Sequence, residues 1–315
     1  MSDRKVPDNK TCDALLRAPV LKLPARCSVV APASPMDDHM IVSGLRKLEE
    51  LGIIPPERVV LPGKQKYLAG SDVERALALV DAFKDDSTGV IFCVRGGYGC
   101  SRILDLLDFE LISKNPKLFV GYSDVTFLHC ALLSKCGLVT IHGPTISQLR
   151  VLPEDDVQLL VQLFTSHSKP EYHFPFAHTL RSGEAEGRVL GGNLTCLCHV
   201  MGTGYEPDFT GAILLLEDRG EALYRIDRML NHLKLAGKLD SIAALLLGEF
   251  ISCGPVSSIW EVVLDILGDI DVPVLAAVPV GHGSRNVPLP LGLRAVLNSD
   301  KKTLSYLDCP TDDYR

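Results

Sequence analysis

Residues 117–137 read KLFVGYSDVTFLHCALLSKCG and constrain the fold more than any other stretch of the chain. The apolar run at 118–122 has the length and composition of a short buried strand, and an amphipathic segment with helical spacing follows from about Asp124. Ser123 lies on the turn between them. A strand-to-helix turn thrusts its side chain out of the sheet with a helix N-terminus behind it. That geometry turns a hydroxyl into a nucleophile with an oxyanion site beside it. A helix cap is the plainer role for the same serine, and the pattern Gly121-Tyr122-Ser123-Asp124-Val125 lacks the second glycine of the hydrolase elbow.

The alternation recurs along the first half. A strand at 27–31 leads into the loop Pro32-Ala33-Ser34-Pro35, and 38–51 has helical spacing. Ser71 and Glu74 form a capping box that opens a helix to about Lys84. An apolar strand at 89–94 ends in Arg95-Gly96-Gly97-Tyr98-Gly99, Ser101 starts another helix, and a strand at 138–141 ends in His142-Gly143-Pro144. Strands that read as continuous apolar runs, separated by helices, argue for a parallel sheet covered on both faces. After a last helix at 153–164 the pattern dissolves into Ser, His, Pro and charge, with His167, His173 and His178 carrying no assigned role. The organisation expected is therefore a tail at 1–25, a doubly wound domain at 26–165, a linker at 166–186 and a second α/β domain at 187–315.

The second half restarts at 187–193. Apolar strands at 212–216, 242–247 and 274–280 run into Glu217, Glu249 and the Gly281-His282-Gly283 turn, and 221–235 is helical with Leu223, Ile226, Leu230 and Leu233 on one face. Ligands bind at the carboxyl ends of parallel strands. A serine nucleophile needs a base within reach, and the base needs an orienting carboxylate. Ser123, His282 and either Glu217 or Glu249 supply that set across a cleft. Each has a dull alternative, a turn histidine or a glutamate paired with an arginine. The glycine-rich run 95–99 reads either as a phosphate cradle or as an oxyanion loop in which Arg95 binds a carboxylate; Arg95 as a structural ion-pair partner also stands.

Composition removes several classes. A net charge of −7 leaves no electrostatic footprint for nucleic acid. No apolar stretch approaches the ~20 residues of a membrane span. Residues 1–25 have no continuous apolar segment and do not read as a signal peptide, so a cytoplasmic location is expected. The ten cysteines form no CxxC pair and read as reduced, buried thiols. Cys196-Leu197-Cys198-His199 invites a metal, but no second cluster has zinc spacing. The Walker lysine and the full dinucleotide fingerprint are missing as well, so neither a cofactor nor a metal is expected.

The chain closely resembles the LD-carboxypeptidase family of serine peptidases, which also contains the microcin C immunity peptidases. The resemblance runs from about Cys27 to Leu307. In the first half it rests on Val30-Ala31-Pro32-Ala33-Ser34-Pro35, Tyr67-Leu68-Ala69-Gly70, the 95–99 glycine run and Gly121-Tyr122-Ser123-Asp124. In the second half it rests on Gly191-Gly192-Asn193-Leu194, Leu216-Glu217-Asp218, Tyr224-Arg225-Ile226-Asp227-Arg228 and Gly281-His282-Gly283. It implies a triad of Ser123, Glu217 and His282, selecting Glu217 over Glu249, and an oxyanion hole placed at the Gly97 and Asp124 amides. Arg95, Tyr98 and Asn193 are the substrate-binding candidates. The implied architecture is a doubly wound N-terminal domain and a smaller β-rich C-terminal domain, in a homodimer. That puts the all-parallel reading of the second half in question.

For the main branch the implied reaction releases terminal D-alanine from murein tetrapeptide, in cell-wall recycling. The immunity branch cleaves peptidyl or aminoacyl nucleotides and carries a longer aromatic-bearing insertion. Here residues 166–186 are short, with Tyr172, Phe174 and Phe176 as the only aromatics, and the sole tryptophan, Trp260, lies in an expected helix. This favours the murein branch. A catalytically inactive ligand-binding relative is the competing class.

Overall fold

The computed structural model describes residues 15–57, 59 and 63–313; most of the expected tail lies outside the described residues. The first sheet runs Leu289–Leu291, Thr140–His142, Leu118–Gly121, Val90–Cys93, Ala25–Val30, Ile53–Ile54. The last five strands are parallel and the first is antiparallel to its neighbour. Every residue of Val90–Cys93 and Leu118–Gly121 is buried, as continuous apolar strands covered on both faces must be. Helix Asp72–Lys84 opens at Ser71, whose hydroxyl accepts from the Glu74 amide (3.2 Å) while the Glu74 carboxylate accepts from the Ser71 amide (2.8 Å). Ser101 falls in a 3-10 turn, Cys100–Leu106, rather than an α-helix.

The second sheet has eight strands, in the order Glu171–His173, Thr303–Tyr306, Arg294–Asn298, Glu184–Asn193, Ala212–Arg219, Ala244–Ile251, Val274–Ala276, His178–Arg181. The four strands from Glu184–Asn193 to Val274–Ala276 are parallel, and the three strands on one side of them and the one on the other pair antiparallel. The parallel unit read from spacing is thus the centre of the sheet, and the β-rich character implied by the resemblance is its margins. The strand expected at 274–280 stops at Ala276, because Ala277 takes a positive φ of 56° and leaves the ladder.

Two further readings of the sequence need correction. Residues 166–186 are not a linker. They contain Glu171–His173 and His178–Arg181, at opposite edges of the second sheet, and the start of Glu184–Asn193. Their polarity is that of edge strands with a wet face: in Glu171–His173 only Tyr172 is buried, and His178–Arg181 buries no residue fully. Tyr172 and Phe174 are buried, their rings stacked 6.0 Å apart, and the Tyr172 hydroxyl donates to the Pro288 carbonyl (2.7 Å). The helix after Ser123 is not amphipathic either. Thr126–Cys136 is buried from Thr126 through Leu132, because it lies between the first sheet and helix Leu194–Val200 of the second half. A helix covered on all sides is apolar all round.

One apolar core runs through both halves: Leu128, Ala131 and Leu132 pack in the same cluster as Leu190, Leu194 and Leu197. Strand Leu289–Leu291, from the second half of the chain, joins the first sheet. These contacts fix the carboxyl ends of the two sheets against one another.

Candidate active site

Ser123 follows the fully buried strand Leu118–Gly121 and opens a 3-10 turn, Ser123–Val125, that runs into helix Thr126–Cys136. Its φ is +65°, a left-handed conformation that a side chain bearing Cβ rarely adopts. Strain of this kind, of order 1–3 kcal/mol, persists where surrounding structure holds it. The strand behind and the helix ahead hold it here. Gly96 makes room: a Cβ at that position would stand 2.7 Å from the Ser123 Cβ and 3.3 Å from the Asp124 amide nitrogen. The second glycine of the hydrolase elbow is therefore supplied in space by the 95–99 loop and not by the local sequence.

The Ser123 hydroxyl lies 3.0 Å from Nε2 of His282, and Nδ1 of His282 lies 2.6 Å from Oε2 of Glu217. Glu217 comes from strand Ala212–Arg219 and is fully buried. Burial pushes its carboxyl up from the ordinary range, and the His282 contact pulls it back. Gly281 has a φ of +113°, and a Cβ there would stand 2.6 Å from Glu217 Oε2, so only glycine lets the loop approach the carboxylate this closely. The Gly281 amide donates to Asn286 Oδ1 (2.9 Å), which ties the loop down. Glu249 does not reach the imidazole. Its carboxyl packs against Gly283, with Oε2 buried and without a hydrogen-bond partner, and burial, then Glu217, pushes it up.

Ser123 and His282 line a cleft of about 1120 Å³ between the two halves, with Glu217 buried behind the imidazole. Gly97, Tyr98, Arg95, Asp124 and Asn193 line it too. The Tyr98 amide donates to Ser34 Oγ (3.1 Å), which locks the glycine loop to the 32–35 loop. The Asp124 carboxylate accepts from the Cys100 amide (2.8 Å), and burial pushes that carboxyl up. Arg95 is exposed at the cleft and reaches only the Pro35 carbonyl, at 3.5 Å; among the described residues no carboxylate pairs with it. The Tyr98 ring is exposed and meets Tyr67 edge-on at 5.5 Å. Asn193 is committed within the protein: Oδ1 caps helix Leu194–Val200 through the Cys196 amide (3.1 Å) and Nδ2 donates to Asp218 Oδ1 (2.9 Å).

Spacing alone missed Arg75. It is fully buried, and its guanidinium donates to the carbonyls of Gly70 (3.3 Å), Gly99 (2.9 Å) and Pro32. It thereby joins three of the loops that carry the resemblance. Its place beside Ala76 and Leu79 on the buried face of helix Asp72–Lys84 is the signal that would have found it. Asp218 was also passed over; besides Asn193 it accepts from the Thr195 amide (2.9 Å) and the Thr195 hydroxyl (2.8 Å). The Cys196–His199 run supplies no ligand cluster: Cys196 is buried, Cys198 approaches the Met229 carbonyl and His199 Nδ1 meets the Thr195 carbonyl. Among the described residues no group of three or more His, Cys, Asp or Glu is placed to hold a metal ion, and no helix is long and apolar enough to cross a membrane.

Residues 27–143 match the LD-carboxypeptidase N-terminal domain and residues 186–297 the LD-carboxypeptidase C-terminal domain. The chain is 40% identical over 286 residues to the probable murein peptide carboxypeptidase of Bacillus subtilis (strain 168), covering 87% of this chain and 89% of that one. It is 32% identical over 296 residues to the murein tetrapeptide carboxypeptidase of Pseudomonas aeruginosa, covering 88% and 94%. The solved structure of the microcin C7 self-immunity protein MccF, an inactive mutant without ligand, superposes with a TM-score of 0.88 at 25% identity and covers 94% of this chain and all of that one. This chain belongs to the LD-carboxypeptidase family, peptidase family S66.

Proposed function

We propose that the protein is a serine carboxypeptidase that hydrolyses the L,D-peptide bond releasing terminal D-alanine from murein tetrapeptide. The observation that carries this is the hydrogen-bonded run Ser123–His282–Glu217, at 3.0 and 2.6 Å, whose first two members line the cleft between the halves. With its Nδ1 proton donated to Glu217, His282 accepts at Nε2 from the Ser123 hydroxyl. Oγ attacks the scissile carbonyl as its proton passes to Nε2, and the Glu217 carboxylate stabilises the imidazolium. The Gly97 and Asp124 amides are assigned to the developing oxyanion. The imidazolium then protonates the departing amine of D-alanine, and water attacks the acyl-enzyme with His282 again taking the proton. Arg95, without a carboxylate of its own, is assigned to the substrate's terminal carboxylate.

Two relatives named for murein peptides support the substrate class. The likeness to MccF keeps the nucleotide-cleaving reading as the alternative. Against it, two of the three aromatics of residues 166–186, Tyr172 and Phe174, are spent in the core of the second sheet, and the third, the exposed Phe176, is not among the residues that line the cleft. The test is D-alanine release from the free tetrapeptide and from its C-terminal amide. Loss of a charge-assisted hydrogen bond costs about 1.5–3 kcal/mol, so the amide should be cleaved roughly 10- to 150-fold more slowly. Equal rates on acid and amide, together with cleavage of an aminoacyl-sulfamoyl adenosine, would move the assignment to the immunity type. No turnover of either, and no labelling by a fluorophosphonate, would move it to an inactive relative.

A further inference from the structure

We propose that Tyr122 is a positioning residue: its ring, wedged between the two halves, holds the His282 imidazole at the tilt from which it reaches Ser123. The inference rests on the serine-peptidase reading. His282 is held at the two ends of its ring, Nδ1 by Glu217 and Nε2 by Ser123. Two contacts at opposite ends leave the ring free to rock about the line joining them. Its chain neighbours are both glycines and offer no side chain to stop that motion.

The Tyr122 ring supplies the missing contact. Its centroid lies 4.8 Å from that of the imidazole, with the planes at 58°, at the close end of the range for paired rings. Tyr122 is itself buried, and it is backed by His142 at 5.9 Å, which packs on His129 at 6.4 Å. His129 is pinned to the first sheet by the Gly121 carbonyl and the Thr140 hydroxyl, both at 2.8 Å. A file of rings thus runs from the first sheet to an imidazole borne by the second half. The hydroxyl of Tyr122 makes no hydrogen bond among the described residues, and burial keeps it protonated. The ring, not the hydroxyl, does the positioning.

The test uses the rate at which a fluorophosphonate labels Ser123, which needs the serine and its base but no peptide recognition, alongside kcat and KM for D-alanine release. Tyr122→Phe should stay within about threefold of wild type, because it keeps the ring. Tyr122→Leu should slow both labelling and kcat by roughly 30-fold or more, with KM within about threefold, since an ångström of misplacement costs on that order. If the leucine variant has no cooperative melt, Tyr122→Met carries the same expectation. A phenylalanine variant as slow as the leucine one would assign the effect to the hydroxyl and overturn the proposal. So would a leucine variant as fast as wild type, or a loss confined to KM. A wild-type protein that is not labelled at all would sink the serine reading and this inference with it. One that is labelled but releases no D-alanine would sink only the substrate assignment, leaving the labelling rates to decide the role of Tyr122.

Discussion

The two halves contribute to the proposed triad by different means. In the first half, Ser123 is placed by its own segment: four buried strand residues, a left-handed φ of +65° and a helix that begins within three residues. In the second half, Glu217 and His282 are 65 residues apart in sequence and meet only because strand Ala212–Arg219 lies next to strand Ala244–Ile251, with the 281–283 loop folded over it. The proposed nucleophile is a local construction and the proposed acid–base pair a long-range one. Damage to the first should be confined to chemistry, whereas damage to the second should spread through loop geometry.

The largest effect expected is at the local element. Ser123→Ala should lose roughly 10³-fold or more in kcat, because triad members act as a unit. It should also keep or raise its melting temperature, since removing the hydroxyl leaves the buried strand and helix intact. A folded variant with near-wild-type turnover would end the assignment.

The long-range element is tested next by Gly281→Ala. A Cβ there would stand 2.6 Å from Glu217 Oε2, so the loop must shift, and a shift of about an ångström should cost roughly 10²-fold in kcat. An unchanged kcat would show that the carboxylate contact is dispensable. The two glutamates sharpen the comparison further. Glu217→Gln should impair kcat heavily, because an amide cannot hold the required tautomer or balance the imidazolium. Glu249→Gln, away from the imidazole, should stay within about threefold, as substitutions outside such networks do. Equal losses at both positions would erase the distinction drawn from the geometry.

The smallest effect concerns pH and stability, and it again belongs to the first half. Burial lowers the His129 pKa to about 4 and takes His142 well below its ordinary value. Both imidazoles are neutral in the folded protein, while the unfolded chain protonates them near pH 6.5. Below that pH the unfolded state binds more protons, so folding stability should fall as the solution is acidified from about 6.5 toward 4, by up to roughly 1.4 kcal/mol per pH unit for each imidazole. His142, with neither ring nitrogen hydrogen-bonded, is the cleaner probe. Urea melts at pH 7 and pH 5 should show a smaller difference for His142→Gln than for wild type; an identical difference would exclude this contribution.

The sequence by itself determined the order of elements in the first half, the capping box at Ser71, the strand-turn-helix around Ser123 and, through its motifs, the family. These are local or patterned features: a continuous apolar run must be buried on both faces, and a residue between strand and helix must point out of the sheet. Spacing alone left Glu217 and Glu249 equivalent, since each lies in an apolar strand of the second half. The resemblance chose Glu217, and the tertiary structure supplies the physical reason: strand register and the Gly281 approach bring that carboxylate to the imidazole and leave the other against Gly283. Residues 166–186 looked like a linker because their edge strands bury few side chains, and nothing in a short polar stretch says which sheet will claim it. Arg75, Tyr122 and Gly96 likewise acquire their meaning from neighbours distant in sequence. Their contacts are set by how two sheets pack around one shared core, and packing of that kind has no period to read.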